Sequence, residues 1–310
     1  MSLETVPSVS LATSLTKDEH LHRRSDHPFI LDPPLAILNE AVTPVERLFA
    51  RHRQPIPDLQ PAHWELTIDG LVRHPLTIDY RDLLREPVSS FFAALIGRHD
   101  DHDGYAAIAN AEWIGAPLAL FLEAAGVKPQ AGFAACWSYG PQPVVQYVPL
   151  AKLWQDGMLA YAINGRPLPA LHGGPVRLVV PGWAGAYWLK WIERMTLISP
   201  ESAPPAAFAD GSLRIDCRLF NLAEATRGNS LQPLRGVAWS AAQGITRVAL
   251  SFDEGPWQDA ILDSDLGPRA WRRFTCAWPA AGGSHQLAVQ ITDGAGQTAV
   301  RYWRMSSLAT

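Results

Sequence analysis

The sequence predicts a mixed α+β domain followed by an all-β, immunoglobulin-like sandwich. Three observations carry that prediction. Strand-like and helix-like segments are interleaved up to about residue 198. The stretch "SPESAPPAAFADGS" (199–212) then shifts the composition toward Pro, Ala and Ser. Beyond it, only short alternating segments separated by turn signals follow. The boundary is therefore placed between residues 203 and 204, giving domains 1–203 and 204–310.

Taken in order, residues 1–34 are polar and proline-punctuated and read as an arm over the surface. "HWELTIDGLV" (63–72) alternates apolar and polar residues and ends near Asp69-Gly70, a hairpin signal. "PLTIDYRDLL" reads as a short strand leading into a helix. "APLALFLEAAGV" (116–127) has apolar residues at helical spacing and a stop at Gly126. "GPVRLVVPGW" (174–183) is a continuous apolar run of the kind found in buried strands, and "YWLKWIERMTLI" alternates like another. In the second domain, turns are expected at Asp253–Gly255, Gly282-Gly283 and Asp293–Gly296. Their regular spacing suits a sandwich of about 100 residues.

Composition narrows the function. The chain has 310 residues, 47% hydrophobic and 18% charged, enough for a sizeable core. A net charge of −4 speaks against nucleic acid as a partner. Cys136, Cys217 and Cys276 are too sparse for a disulfide framework, and no pair has C-x-x-C spacing. No run approaches eighteen apolar residues, so no membrane span is expected. The first twenty residues lack a basic segment followed by an apolar one, so the expected location is cytoplasmic, or periplasmic if an export signal was removed. No G-x-S-x-G, phosphate-binding glycine motif or H-E-x-x-H occurs.

Five segments, in order, carry a resemblance: "LFARHRQPIP" (48–57), "WELTIDGLVRHPLTIDYRDL", "NAEWIGAPLALFLEAAGV" (110–127), "MLAYAINGRPLPALHGGPVRLVVPGWAGAYWLKWIERM" (158–195) and "RGVAWSAAQGITRVALSFDEGPWQDAIL". Together they resemble the sulfite oxidase family of molybdopterin-dependent oxidoreductases. The resemblance implies a mixed α+β molybdopterin domain and a C-terminal dimerisation sandwich. It also implies oxygen-atom transfer with a small anionic substrate such as sulfite, a possible electron-acceptor protein, and a homodimer formed through the second domain.

The resemblance also assigns residues. Arg51, His52 and Arg53 lie in the segment that contacts the pterin in the family. His172, Arg177 and Lys190 match family positions, Lys190 that of the lysine near the pterin phosphate. Arg98 is a candidate for holding the substrate anion, and Tyr147 and Tyr139 are candidates for the family's substrate-bonding tyrosine. The family often has arginine where Tyr187 stands. One departure is sharp. Gly97 aligns with the glycine of the metal loop, which puts Leu95 where the family has its molybdenum-ligating cysteine. Leucine has no lone pair to donate, and no cysteine precedes Cys136. That substitution puts the molybdenum cofactor itself in question.

The neighbouring stretch "GRHDDHDGY" (97–105) holds two histidines and three aspartates. His99 and Asp101 could give nitrogen and oxygen ligands of the kind zinc, iron or manganese prefer. The same residues could instead cap turns in a solvated loop. The alternatives to a molybdopterin oxidoreductase are thus a cofactor-diverged enzyme using this loop, or a non-catalytic relative acting as a binding or assembly subunit.

Overall fold

The computed structural model describes residues 15–97, 104–222, 233–277 and 284–306. It is a mixed fold of few short helices and many strands, as the sequence predicts. Two five-stranded sheets build the first half. One runs from Arg166–Pro167 through Met158–Ile163 and Ile108–Pro117 to Ser89–Ile96, with Arg177–Val179 also paired to Met158–Ile163. The other orders Leu76–Asp79, Glu65–Gly70, Ile192–Ile198, Phe133–Ser138 and Val145–Pro149. Within it, Ile192–Ile198 runs parallel to Glu65–Gly70 and antiparallel to Phe133–Ser138.

Local chemistry explains several of these elements. Glu65–Gly70 alternates in burial, with Leu66 and Ile68 inside, and pairs with Leu76–Asp79 as the hairpin reading required. Gly70 closes it at φ +83, where a Cβ would lie 2.3 Å from the Leu197 carbonyl oxygen, so only glycine fits. Asp79 then caps the helix Tyr80–Arg85 in a reciprocal capping box with Asp82. The helix Leu118–Ala125 ends at Gly126 in the left-handed conformation, as its sequence predicts.

Trp64, Trp113, Trp188 and Trp191 are among the largest fully buried side chains. Each indole N–H donates to a backbone carbonyl: Trp64 to Ile192 at 2.8 Å, Trp113 to Ala93 at 3.4 Å, Trp188 to Trp183 at 2.9 Å and Trp191 to Ala170 at 2.8 Å. Large apolar area is buried this way without an unmet donor.

Three readings are corrected. The leading arm is not wholly irregular: His22–Asp26 and Phe29–Asp32 form a hairpin that continues onto Ala50–His52. His22–Asp26 is wholly polar and Phe29–Asp32 is a short apolar run ending in Asp32, buried against Arg51 and Arg24, so no apolar alternation announces the strands. The buried run 174–183 yields only the strand Arg177–Val179, because Pro181 and Gly182, at φ 76, turn the chain away. The segment after it begins its strand only at Ile192, since Gly185–Tyr187 is a 3-10 turn and Trp191 sits at φ 52.

The second half stacks two four-stranded antiparallel sheets. Cys217, Leu219, Leu234 and Phe274 from one meet Val248, Leu250, Leu287, Val289 and Ile291 from the other in a single core, the arrangement of a sandwich. A separate apolar cluster joins the halves, with Ala94, Ile96 and Ile108 against Val237, Trp239 and Trp271. Side chains alternate along Ser89–Ile96. Ala93 and Leu95 therefore enter the core of the first half, while Ala94 and Ile96 face the junction.

Candidate functional site

The turn at Ala170–His172 and the segment 185–191 bring basic side chains together inside the first half. Gly173, at φ +105, follows the turn, and a Cβ there would lie 3.0 Å from Lys190 Cα, Cβ and Cγ. The lysine stem thus lies directly on the glycine backbone. Lys190 Nζ donates to the Leu171 carbonyl at 2.8 Å. Arg177 is buried, its Nε donating to Trp188 O and its Nη1 to His172 O, both at 3.1 Å. Its guanidinium lies 5.4 Å from the centre of the Trp113 ring and 6.0 Å from that of Trp188, giving cation–π support. His172 is buried, and Lys17 reaches it from the leading segment, with Nζ 3.2 Å from His172 Nε2.

Four basic groups converge here, and among the described residues no carboxylate forms an ion pair with any of them. Their protonation reflects that imbalance. Burial first, then Arg177 and Lys17, holds Lys190 well below the ordinary lysine range. Burial, then Lys17, Lys190 and Arg177, does the same to the His172 imidazole. Burial lowers Arg177. Lys17 falls to about 7, burial outweighing the attraction of Glu46 and Asp18. Such a cluster favours a bound anion, because one negative ligand relieves desolvation and mutual repulsion together.

The Arg51–Arg53 segment forms the adjoining wall. Arg51 is engaged by Asp32 through two bonds, Nε to Oδ1 at 3.0 Å and Nη2 to Oδ2 at 2.7 Å. His52 stacks on Phe29 at 4.6 Å and meets the Trp191 edge at 5.9 Å. A carbonyl can only accept, so the 2.7 Å contact with Gln54 O puts the proton on His52 Nδ1 and leaves Nε2 as an acceptor. Burial, then Lys190, lowers the His52 pKa against that bond. His52 Nε2 and Gln54 Oε1 are both buried without a hydrogen-bond partner among the described residues. Unmet buried acceptors of this kind call for donors from a ligand. Arg53 is exposed.

The metal end differs in kind. Leu95 is 2% exposed and belongs to the principal core. Its Cδ1 lies 3.0 Å from where a Gly185 Cβ would stand. Gly97 admits no side chain, since a Cβ would come 2.7 Å from Ala107 Cβ. Cys136 is fully buried, its Sγ contacting Ala134 O at 3.9 Å, and burial pushes its thiol up to about 12. Arg98, His99 and Asp101 lie outside the described residues. Among the described residues, no group of three or more His, Cys, Asp or Glu side chains is arranged to hold a metal ion.

The two tyrosines are placed differently. Tyr139 is 40% exposed, and its backbone is tied to the site: its N–H donates to Trp191 O at 2.7 Å and its carbonyl accepts from Gln54 Nε2 at 2.8 Å. Tyr147 lies in the strand Val145–Pro149, opposite Ala135. Tyr187 is buried edge-on to Trp183 at 4.8 Å. Sequence reasoning missed Lys17, Gln54 and Trp191. A Trp at positive φ has no sequence signal, and Lys17 lies 155 residues from the histidine it meets.

Comparison with known proteins agrees with this geometry. Residues 53–205 match the oxidoreductase molybdopterin binding domain. The inducible nitrate reductase [NADH] 2 of Glycine max is 26% identical over 93% of this chain and 40% of its own length. The mitochondrial sulfite oxidase of Rattus norvegicus is 29% identical over 81% of this chain and 56% of its own. The crystal structure of the sulfane dehydrogenase SoxCD from Paracoccus pantotrophus superposes with a TM-score of 0.81 at 25% identity, covering 98% of this chain and 94% of that one. The chain spans about half the length of the curated relatives it matches.

The residues present fit one part of the molybdenum cofactor and not another. The uncompensated cations suit the phosphate, and the unmet His52 and Gln54 acceptors suit the N–H groups of a pterin. The metal end has no matching set among the described residues: Leu95 packs into the core, and Cys136, Cys217 and Cys276 are all buried.

Proposed function

We propose, taking as premise that this chain is a sulfite oxidase-family molybdopterin oxidoreductase without the family's ligand cysteine, that it acts on a small anionic substrate such as sulfite. The observation that supports this most is the convergence of half-buried Lys17 and Lys190 on buried Arg177 and His172, basic groups without an acidic partner among the described residues. Lys190 and His172 hold the phosphate, while Arg177 holds the His172 turn through its carbonyl. His52 and Gln54 offer their free acceptors to the pterin. Arg51 fixes that wall through Asp32, Arg53 is a further candidate donor to the cofactor, and Tyr139, Tyr147 and Arg98, the last outside the described residues, are the candidates for the substrate. When bound, the cofactor supplies two-electron oxygen-atom transfer. A homodimer through the sandwich fits its exposed Ile261 and Tyr302, and an electron-acceptor protein completes the cycle.

A second reading is favoured by Leu95: the phosphate-binding half persists while the metal chemistry has changed or been lost. Elemental analysis of the purified full chain, with pterin fluorescence after oxidation, separates the two. Molybdenum together with pterin is the expected result. Zinc, iron or manganese without pterin would overturn it and favour a diverged enzyme using the 97–105 loop. Neither metal nor pterin would favour a non-catalytic relative.

A further inference from the structure

The segment 15–18 crosses the cationic site with more contacts than a loose arm requires. Leu15 packs against the principal core. Lys17 Nζ donates to the carbonyls of Val45 at 2.8 Å and Leu48 at 2.6 Å. Asp18 N–H donates to Glu46 O at 3.1 Å, and Asp18 Oδ2 accepts from Arg47 Nε at 2.8 Å. All these polar bonds fall on residues 45–48, immediately before Arg51 and His52. On its other side Lys17 meets His172. One ammonium therefore joins the two segments that form the walls of the site.

That placement is unfavourable for the protein alone. The two carbonyls take two of its N–H groups and solvate part of the charge, while the third N–H donates to His172 Nε2, a neutral acceptor that brings no charge to balance it. Asp18 is occupied by Arg47 and by His20 at 2.8 Å, and Glu46 pairs with Arg166 at 2.9 Å. An oxyanion beside His172 would take that third N–H and remove the penalty.

We propose that Lys17 is a further ligand for the cofactor phosphate, carried on a strap that closes over the bound group and must lift for it to leave. This rests on the reading that a phosphate-bearing pterin occupies the site. Residues 15–18 are then ordered by the ligand, and the ligand is retained by residues 15–18.

The test uses the full-length holoprotein and measures pterin retained after dialysis, as fluorescence following oxidation, for wild type, Lys17→Met, Lys17→Arg and Lys190→Met. Lys17→Met should lose pterin about tenfold faster than wild type, the effect of one charge-assisted hydrogen bond. Lys17→Arg should recover most of the difference. Proteolysis within the leading segment should be slower in loaded than in stripped wild type, and the melting temperature of stripped Lys17→Met should not fall. If Lys190→Met sheds pterin while Lys17→Met keeps it, the strap is refuted and the cofactor reading stands. If stripped Lys17→Met melts well below stripped wild type, Lys17 is a structural tie and the proposal fails. If wild type holds no pterin, both fall together.

Discussion

The two ends of the site have diverged in opposite directions. At one, buried His172 and Arg177 and half-buried Lys17 and Lys190 converge without acidic partners among the described residues, an arrangement that costs stability unless an anion arrives. At the other, Leu95, which the sequence resemblance sets at the metal-binding position, is an aliphatic side chain packed into the core. The first is held by a ligand's charge, and the second by hydrophobic burial that needs no ligand. The contrast teaches that phosphate recognition and metal ligation are separable. Arg177 and Leu95 share one sheet, yet the cationic turns and the buried strand end answer to different forces.

The largest effect that would break this comparison comes from the cationic end. Lys190→Met should weaken cofactor retention about 10- to 100-fold, since bonds to charged groups contribute about 1.5–3 kcal/mol each; equilibrium pterin content across a dilution series measures it. Gly173→Ala should follow. Its φ of +105 strains any side chain, and its Cβ would press on Lys190, so about 1–3 kcal/mol of stability should be lost along with part of the retention. Thermal melts with and without bound pterin separate those two losses.

At the metal end, Leu95→Cys sharpens the contrast. It should raise the molybdenum-to-pterin ratio severalfold by elemental analysis and leave pterin content nearly unchanged. A ratio that does not move would show that the aliphatic end no longer faces the metal.

The smallest effect is in pH. Folding lowers Lys17 from 10.5 to about 7, so between those values the unfolded chain binds more protons. Stripped protein should therefore gain stability from this group as pH rises through that window. Below pH 7 the full penalty is present, and above about 10.5 it has gone. Melts of stripped wild type against Lys17→Met should differ in slope across pH 7 to 10, and equal slopes would refute the assignment.

Much of this was readable from the chain. The 63–79 hairpin, the helix ended by Gly126 and the turns at 253–255 and 293–296 follow from local rules. His172, Arg177 and Lys190 were named from their segments, and the structure brings them together. What was not readable depended on distance or on tertiary override. Trp191 takes a backbone conformation its residue type disfavours. The strand Phe29–Asp32 has no apolar alternation: Phe29, Ile30 and Leu31 run consecutively, and its buried end is a carboxylate paired with Arg51 of the neighbouring strand. Lys17 sits in a polar stretch with nothing to mark it, and only the folded chain shows what it touches.

The strand Ser89–Ile96 is a party wall. Leu95 looks into one room, and its neighbours Ala94 and Ile96 look into the other, where Trp271 reaches back to donate to Ala41 at 2.9 Å. A change of bulk or polarity at position 95 is therefore a single peptide unit from the seam between the halves. The Leu95 isobutyl group fills the first room only, so a substitution there reaches the seam through the strand's backbone rather than by direct contact.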